Sequence, residues 1–155
     1  TNKGQEMMLA KGIKSGIVNG TGDMSTWGKQ PNGKPWNIGI TNPFHAEELL
    51  GIIPLNGAIT TSGSYEKFVV FEGKRYSHII NPSTGYPVTG LCSVTVLGPN
   101  AETCNGLSTS LMILEKKAGL ILLEKFPDYS CLMITDEGKV VKSKNFKMKK
   151  FKIKL

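Results

Sequence analysis

The chain has 155 residues, of which 39% are apolar and 20% charged, a balance that fits one globular domain and excludes a disordered or low-complexity chain. Its 18 Gly and 8 Pro point to many turns and exclude an all-helical fold. The formal net charge is +7, and much of it lies at residues 139–154, where Lys alternates with Phe146, Met148, Phe151 and Ile153. This period of two predicts a strand with Lys on its wet face, guarding a sheet edge, rather than a nucleic-acid site.

In chain order, residues 2–11 predict a helix end stopped by Gly12, with Met7 and Met8 as core filler. Residues 13–19 predict a strand, Gly20-Thr21-Gly22 a tight turn, and residues 29–35 a second turn centred on Asn32-Gly33. A strand follows over 36–40, and 43–50 reads as a short helical turn. Residues 52–55, 58–61 and 65–71 predict strands, Glu72-Gly73-Lys74 a hairpin turn, 75–80 its return and 81–90 a loop. The β-branched run at 93–97 predicts a strand. Residues 100–114 predict a helix with Thr103 as a cap, and 116–126 a second helix broken by Pro127-Asp128. A strand at 130–135, a turn at Asp136-Glu137-Gly138 and the Lys-rich strand close the chain. These elements predict an α+β fold, a mostly antiparallel sheet with packed helices.

Cys92, Cys104 and Cys131 form no Cys-x-x-Cys pair, and His45 and His78 add no zinc spacing, so neither a disulfide framework nor a zinc site is expected. There is no apolar run of membrane-spanning length and no signal peptide. The chain opens on Thr1-Asn2-Lys3-Gly4 within a helical pattern, which reads as part of a longer protein, where any export or anchor signal would lie upstream.

Three segments carry chemistry. The turn Asn19-Gly20-Thr21-Gly22-Asp23 brings backbone N–H groups within reach of an anion. A second segment runs from Thr60-Thr61-Ser62-Gly63-Ser64-Tyr65 to His78-Ile79-Ile80-Asn81-Pro82 and on to Pro87; His78 ends a strand before a Pro/Gly loop, where an imidazole can shuttle protons or bridge strand and loop by hydrogen bonds. In the third, Cys104-Asn105-Gly106-Leu107-Ser108-Thr109, the four-residue spacing of Asn105 and Thr109 puts both on one helix face. Their oxygens suit a hard cation beside a phosphate, or capping and internal hydrogen bonds.

The order of these pieces adds to each of them. The turn at Gly20–Asp23, the run Pro35-Trp36-Asn37-Ile38-Gly39-Ile40, the run Thr61-Ser62-Gly63-Ser64-Tyr65-Glu66, the loop from His78 to Pro87 and the helix start Cys104–Thr109 together resemble the FAD:protein FMN transferase (ApbE-type) family. The resemblance covers nearly the whole chain and implies that residues 1–155 are the C-terminal portion of a flavin transferase domain. It implies an enzyme that uses Mg²⁺ to move FMN from FAD to a Thr or Ser hydroxyl of a target protein, such as a subunit of a membrane redox pump, releasing AMP. By that resemblance His78 is the catalytic base; Ser62, Gly63, His78, Ile79 and Ile80 contact the flavin nucleotide; Asn105 and Thr109 bind the metal. It also implies a periplasmic location, with membrane attachment only through a lipid anchor outside this chain. Three positions depart from the pattern: Ser64, Asn81 and Asn105 stand where the family carries Asp. The neutral Asn105 predicts weaker Mg²⁺ binding, and leaves an FAD-binding protein of weak activity and an FAD diphosphatase as the alternatives.

Overall fold

The computed structural model describes residues 1–65 and 67–150. Helix α1 (Asn2–Ala10) leads into β1 (Gly16–Gly20) and β2 (Asp23–Trp27), then β3 (Trp36–Asn42), β4 (His45–Leu55), β5 (Gly57–Gly63), β6 (Phe68–Phe71), β7 (Lys74–Ser77) and β8 (Leu91–Gly98). Helix α2 (Ala101–Leu123) and strands β9 (Ser130–Thr135), β10 (Val140–Lys142) and β11 (Lys149–Lys150) follow. Six strands form one sheet in the order β1-β2-β5-β8-β9-β10, antiparallel at every pairing; β11-β4-β3 form a second sheet, and β6-β7 a separate ribbon.

Side-chain alternation explains why the six-stranded sheet carries a layer on each face. Ala58, Val94, Val96, Cys131 and Met133 point to one side, where Cys104, Leu107, Leu111 and Met112 of α2 cover them. Their neighbours Ile59 and Leu132 point to the other side, where Ile38, Ile40, Ile53, Leu55 and Phe146 close a second core. The result is a three-layer α+β fold of helix, sheet and smaller sheet, with the antiparallel character that the sequence predicts.

Four expectations change. Residues 43–50 are not helical: Pro43 and Phe44 make the turn between β3 and β4, and β4 runs through the helix-favouring Ala46-Glu47-Glu48-Leu49-Leu50. Pairing decides this, because Ile53 opposite Ile38 and Leu55 opposite Trp36 gain more by burial than the propensity of the segment opposes. Met7 and Met8 are on the surface, because α1 lies over edge strand β1 with Gly4 towards Val18 and buries no residue. The Lys-rich terminus is not one strand: β10 and β11 belong to different sheets, with buried Phe146 between them, and residues 151–155 lie outside the described residues. The cap of α2 is Asn100, whose side chain accepts from Thr103 N–H at 3.0 Å, so Thr103 is the capped residue rather than the cap.

The two helices expected at 100–114 and 116–126 exist as the two halves of α2, which breaks at Glu115 (φ 59°, ψ −170°). That region is nearly reserved for glycine and costs another residue about 1–3 kcal/mol. Glu115→Gly relieves the strain, less a few tenths to about 1 kcal/mol for the freer unfolded chain. The expected net gain is about 1 kcal/mol, read as a melting temperature higher by roughly 2–6 °C. An unchanged or lower melting temperature would show that Glu115 makes a compensating contact.

Candidate active site at the start of helix α2

The start of α2 is built from three parts of the chain. Asn100 caps it, and Asn2 of α1 accepts a second first-turn N–H, that of Ala101, at 3.0 Å. The β1–β2 turn closes against it: Thr21 and Gly22 both adopt positive φ (56° and 105°), as a two-residue hairpin turn of this hand requires. Asn19 Oδ1 accepts from Gly22 N–H at 3.0 Å. Asp23, the first residue after the turn, faces α2. A cavity of about 390 Å³ opens there, lined by Thr1, Asn2, Lys3, Asp23, Glu102 and Asn105.

Asn105 and Thr109 share a face of α2, as their spacing predicts, and each meets a different strand. Asn105 Nδ2 donates to both carboxylate oxygens of Asp23, at 3.0 and 3.3 Å. One turn further, Thr109 Oγ1 lies 3.4 Å from Ser62 Oγ, which is 2.7 Å from Ser108 Oγ. Ser108 in turn donates to the Asn105 carbonyl at 3.0 Å. The helix start and the end of β5 are thus joined by a row of hard oxygens in which Asp23 holds the formal negative charge. Among the described residues no three His, Cys, Asp or Glu side chains gather as a metal centre. A hard cation here would take Asp23, Asn105 and Thr109 as ligands and draw the rest of its shell from a phosphate or water, the usual arrangement for Mg²⁺. The donor set fits such an ion, with little charge to hold it.

Gly63 follows Ser62, and a Cβ there would fall 2.5 Å from the Tyr65 ring, so the glycine lets that ring pack directly over the backbone. The chain then reaches Lys67, whose carbonyl accepts from His78 N–H at 3.2 Å and lies 2.9 Å from His78 Nδ1. In the neutral ring the proton on Nδ1 serves that carbonyl, which leaves the Nε2 lone pair as the basic position. His78 is exposed and stands at the foot of the β6–β7 ribbon, on a different element from α2. Ile79 is buried in the helix-side core, and its carbonyl accepts from Val88 N–H at 2.9 Å. Ile80 is exposed and bridges Pro87. The structure therefore brings Ser62, Asn105 and Thr109 into one cluster; His78 and Ile80 are outside it, at the end of β7 and in the loop that follows, and Ile79 lies in the helix-side core.

The three neutral departures have separate explanations. Ser64 Oγ donates to the Cys92 carbonyl at 3.2 Å, a bond that an ionised Asp could not make. Asn81 Oδ1 accepts from Ser83 N–H at 2.9 Å, an Asx turn that Asn and Asp build equally well. Asn105 alone faces a carboxylate. Burial pushes the Cys104 thiol from 9.0 up to about 12, with Asp23 adding to the shift, and Cys131 up to about 11, so both stay protonated and unreactive near neutral pH.

Sequence reasoning missed Asp23 as the partner of Asn105, although the turn that delivers it was evident. It also missed a cleft of about 130 Å³ between the two sheets, lined by Thr21, Ile38, Ile40, Thr61, Tyr65 and Thr95. Its residues alternate with those facing α2, and only the second sheet makes them a cleft.

The chain belongs to the ApbE family, whose model matches residues 1–133. It is 38% identical over 141 residues to an FAD:protein FMN transferase of Klebsiella pneumoniae, covering 88% of this chain and 40% of that protein. It is 40% identical over 127 residues to one of Haemophilus influenzae, covering 79% and 37%. Among solved structures, the ApbE protein of Thermotoga maritima superposes with a TM-score of 0.86 at 32% identity, over 97% of this chain and 50% of that one. The flavin transferase ApbE of Vibrio cholerae gives 0.80 at 33% identity, over 94% and 47%. The chain thus spans about 40% of the length of these curated relatives.

Proposed function

We propose that the protein to which this chain belongs transfers FMN from FAD to a Thr or Ser hydroxyl of another protein. The relatives of that name support the reaction, and the observation that carries it to this chain is the anchored imidazole of His78, with Nε2 left free as the base.

The acceptor hydroxyl gives its proton to His78 Nε2 as its oxygen bonds to the phosphorus on the FMN side of the diphosphate. The bond from that phosphorus to the bridging oxygen breaks, and AMP leaves with the electron pair. Such transfers need positioning and charge neutralisation more than covalent help from the protein. Asp23, Asn105 and Thr109 would hold a divalent cation that neutralises the diphosphate. Ser62 orients the Thr109 hydroxyl, and the α2 N-terminus adds favourable dipole towards an anion. The family resemblance supports Mg²⁺ as the cation, a redox-pump subunit as the acceptor and the periplasm as the place of action.

The test is incubation of the full-length protein with FAD, Mg²⁺ and a Thr-containing acceptor. Flavin fluorescence should remain on the acceptor after denaturing electrophoresis, with one AMP released per flavin bound. Free FMN in place of labelled acceptor would replace transfer by hydrolysis, and intact FAD would leave a binding protein.

A further inference from the structure

The β6–β7 ribbon is the most exposed apolar feature of the molecule among the described residues. All four residues of β6 are solvent-exposed: Phe68 40%, Val69 68%, Val70 60% and Phe71 63%. Successive strand residues point to opposite faces, so this strand is apolar on both. Its partner lies on the protein side, since Ser77 of β7 is buried. The ribbon has two strands, so the far edge of β6 adjoins no third strand among the described residues. Phe71 and Lys74 close the two-residue turn at Glu72-Gly73, both at positive φ. By alternation from that pair, the N–H and C=O of Val70 point towards the open edge.

An open edge beside four exposed apolar side chains is the arrangement that natural sheets avoid unless something pairs with it. Burial of the tip in hydrocarbon is opposed by Glu72, because a carboxylate at membrane depth is costly. An added strand suits the ribbon better: it satisfies the outward backbone groups and extends both faces at once. In sequence, residues 66–77 hold three basic residues against two acidic ones, a small positive excess that favours an acidic residue in whatever lies alongside. Its foot is the Lys67–His78 pair, so a strand laid along β6 continues towards the imidazole.

We propose that the open edge of β6 is the docking site of the acceptor polypeptide, which binds as an extended segment with apolar residues at alternate positions and an acidic residue near the basic ribbon. This rests on the transferase reading and adds to it the place and form of acceptor recognition.

The test uses the full-length protein, FAD, Mg²⁺ and a library of short synthetic peptides, each with one Thr. Labelled peptides should show the alternation and the acid. Val70→Pro removes an outward N–H without breaking the pairing to β7. It should raise the KM for those peptides about tenfold or more, a binding loss of about 1.4 kcal/mol, with kcat and FAD affinity unchanged. Labelled peptides without alternation, or equal KM values for variant and wild type, would overturn the proposal while leaving transfer intact. A wild-type protein that labels no peptide defeats the transfer reading itself, and the proposal falls with it. Because the variant can also misfold the ribbon, amide exchange at residues 68–71 of the wild type gives a second arm. Slowing on addition of a labelled peptide supports docking there, whereas full protection beforehand means that the protein's own chain covers β6 and overturns the proposal.

Discussion

On the proposed reaction, replacing His78 with Ala should lower the rate of FMN transfer by about 10²–10⁴-fold, the usual cost of removing a positioned general base, and leave FAD affinity within a few-fold of wild type. The asymmetry follows from the geometry. The Lys67 carbonyl receives both the backbone N–H and the ring of His78, so the ring is anchored through Nδ1 to the foot of the ribbon and makes no hydrogen bond to the Asn105–Thr109 cluster. The groups suited to a diphosphate and its cation are Asp23, Asn105, Thr109 and the α2 N-terminus, on other elements. Removing the ring should therefore take away the proposed proton acceptor and leave the proposed diphosphate site in place. Single-turnover transfer measured beside flavin-quenching titrations separates the two effects. A transfer rate within about threefold of wild type would remove His78 from the chemistry; an equal loss of rate and affinity would recast it as a binding residue.

The sheet was largely legible because its signals are local. The β-branched residues of β8 and the Gly-containing turns at residues 20–22, 72–74 and 136–138 mark strands by their own chemistry, and Glu115 falls where the two helical patterns meet. What was not legible depends on contacts between distant segments. Residues 45–50 carry a helical composition, and only the ladder with β3 makes them a strand. The surface position of Met7 and Met8 depends on how little of α1 touches the sheet. The site divides in the same way. Motif order pointed to His78, Asn105 and Thr109, but no local pattern ties Asn105 to Asp23, which is 82 residues away. That pairing exists because α2 crosses the sheet with its N-terminal part at the start of β2, a result of packing Cys104, Leu107 and Leu111 against Ala58 and Val94. The roles of Ser64 and Asn81 were hidden for a related reason: both serve backbone groups, which residue type alone does not reveal.

Asn105→Asp should act in opposite directions with and without a divalent cation. In the present chain the amide donates to both oxygens of Asp23. A carboxylate in its place loses those bonds and sets two negative charges against each other. Because Asn105 is exposed, the effective dielectric is near that of water and the repulsion is only about 1 kcal/mol. Without a cation, the variant should melt a few degrees below wild type. Added Mg²⁺ then finds a further carboxylate directly beside Asp23, and ligand charge is a main determinant of affinity at such sites. An affinity gain of about tenfold corresponds to 1.4 kcal/mol, which offsets the repulsion. The variant's melting temperature should thus rise more steeply with Mg²⁺ than that of wild type, because stabilisation follows the ratio of free ion to dissociation constant. Transfer at limiting Mg²⁺ should increase as well. Melting curves for both proteins across a Mg²⁺ series decide the matter: parallel responses would make Asn105 a structural partner of Asp23 and nothing more. A crossing of the two series would place the cation between β2 and α2, with the neutral amide setting how tightly it is held.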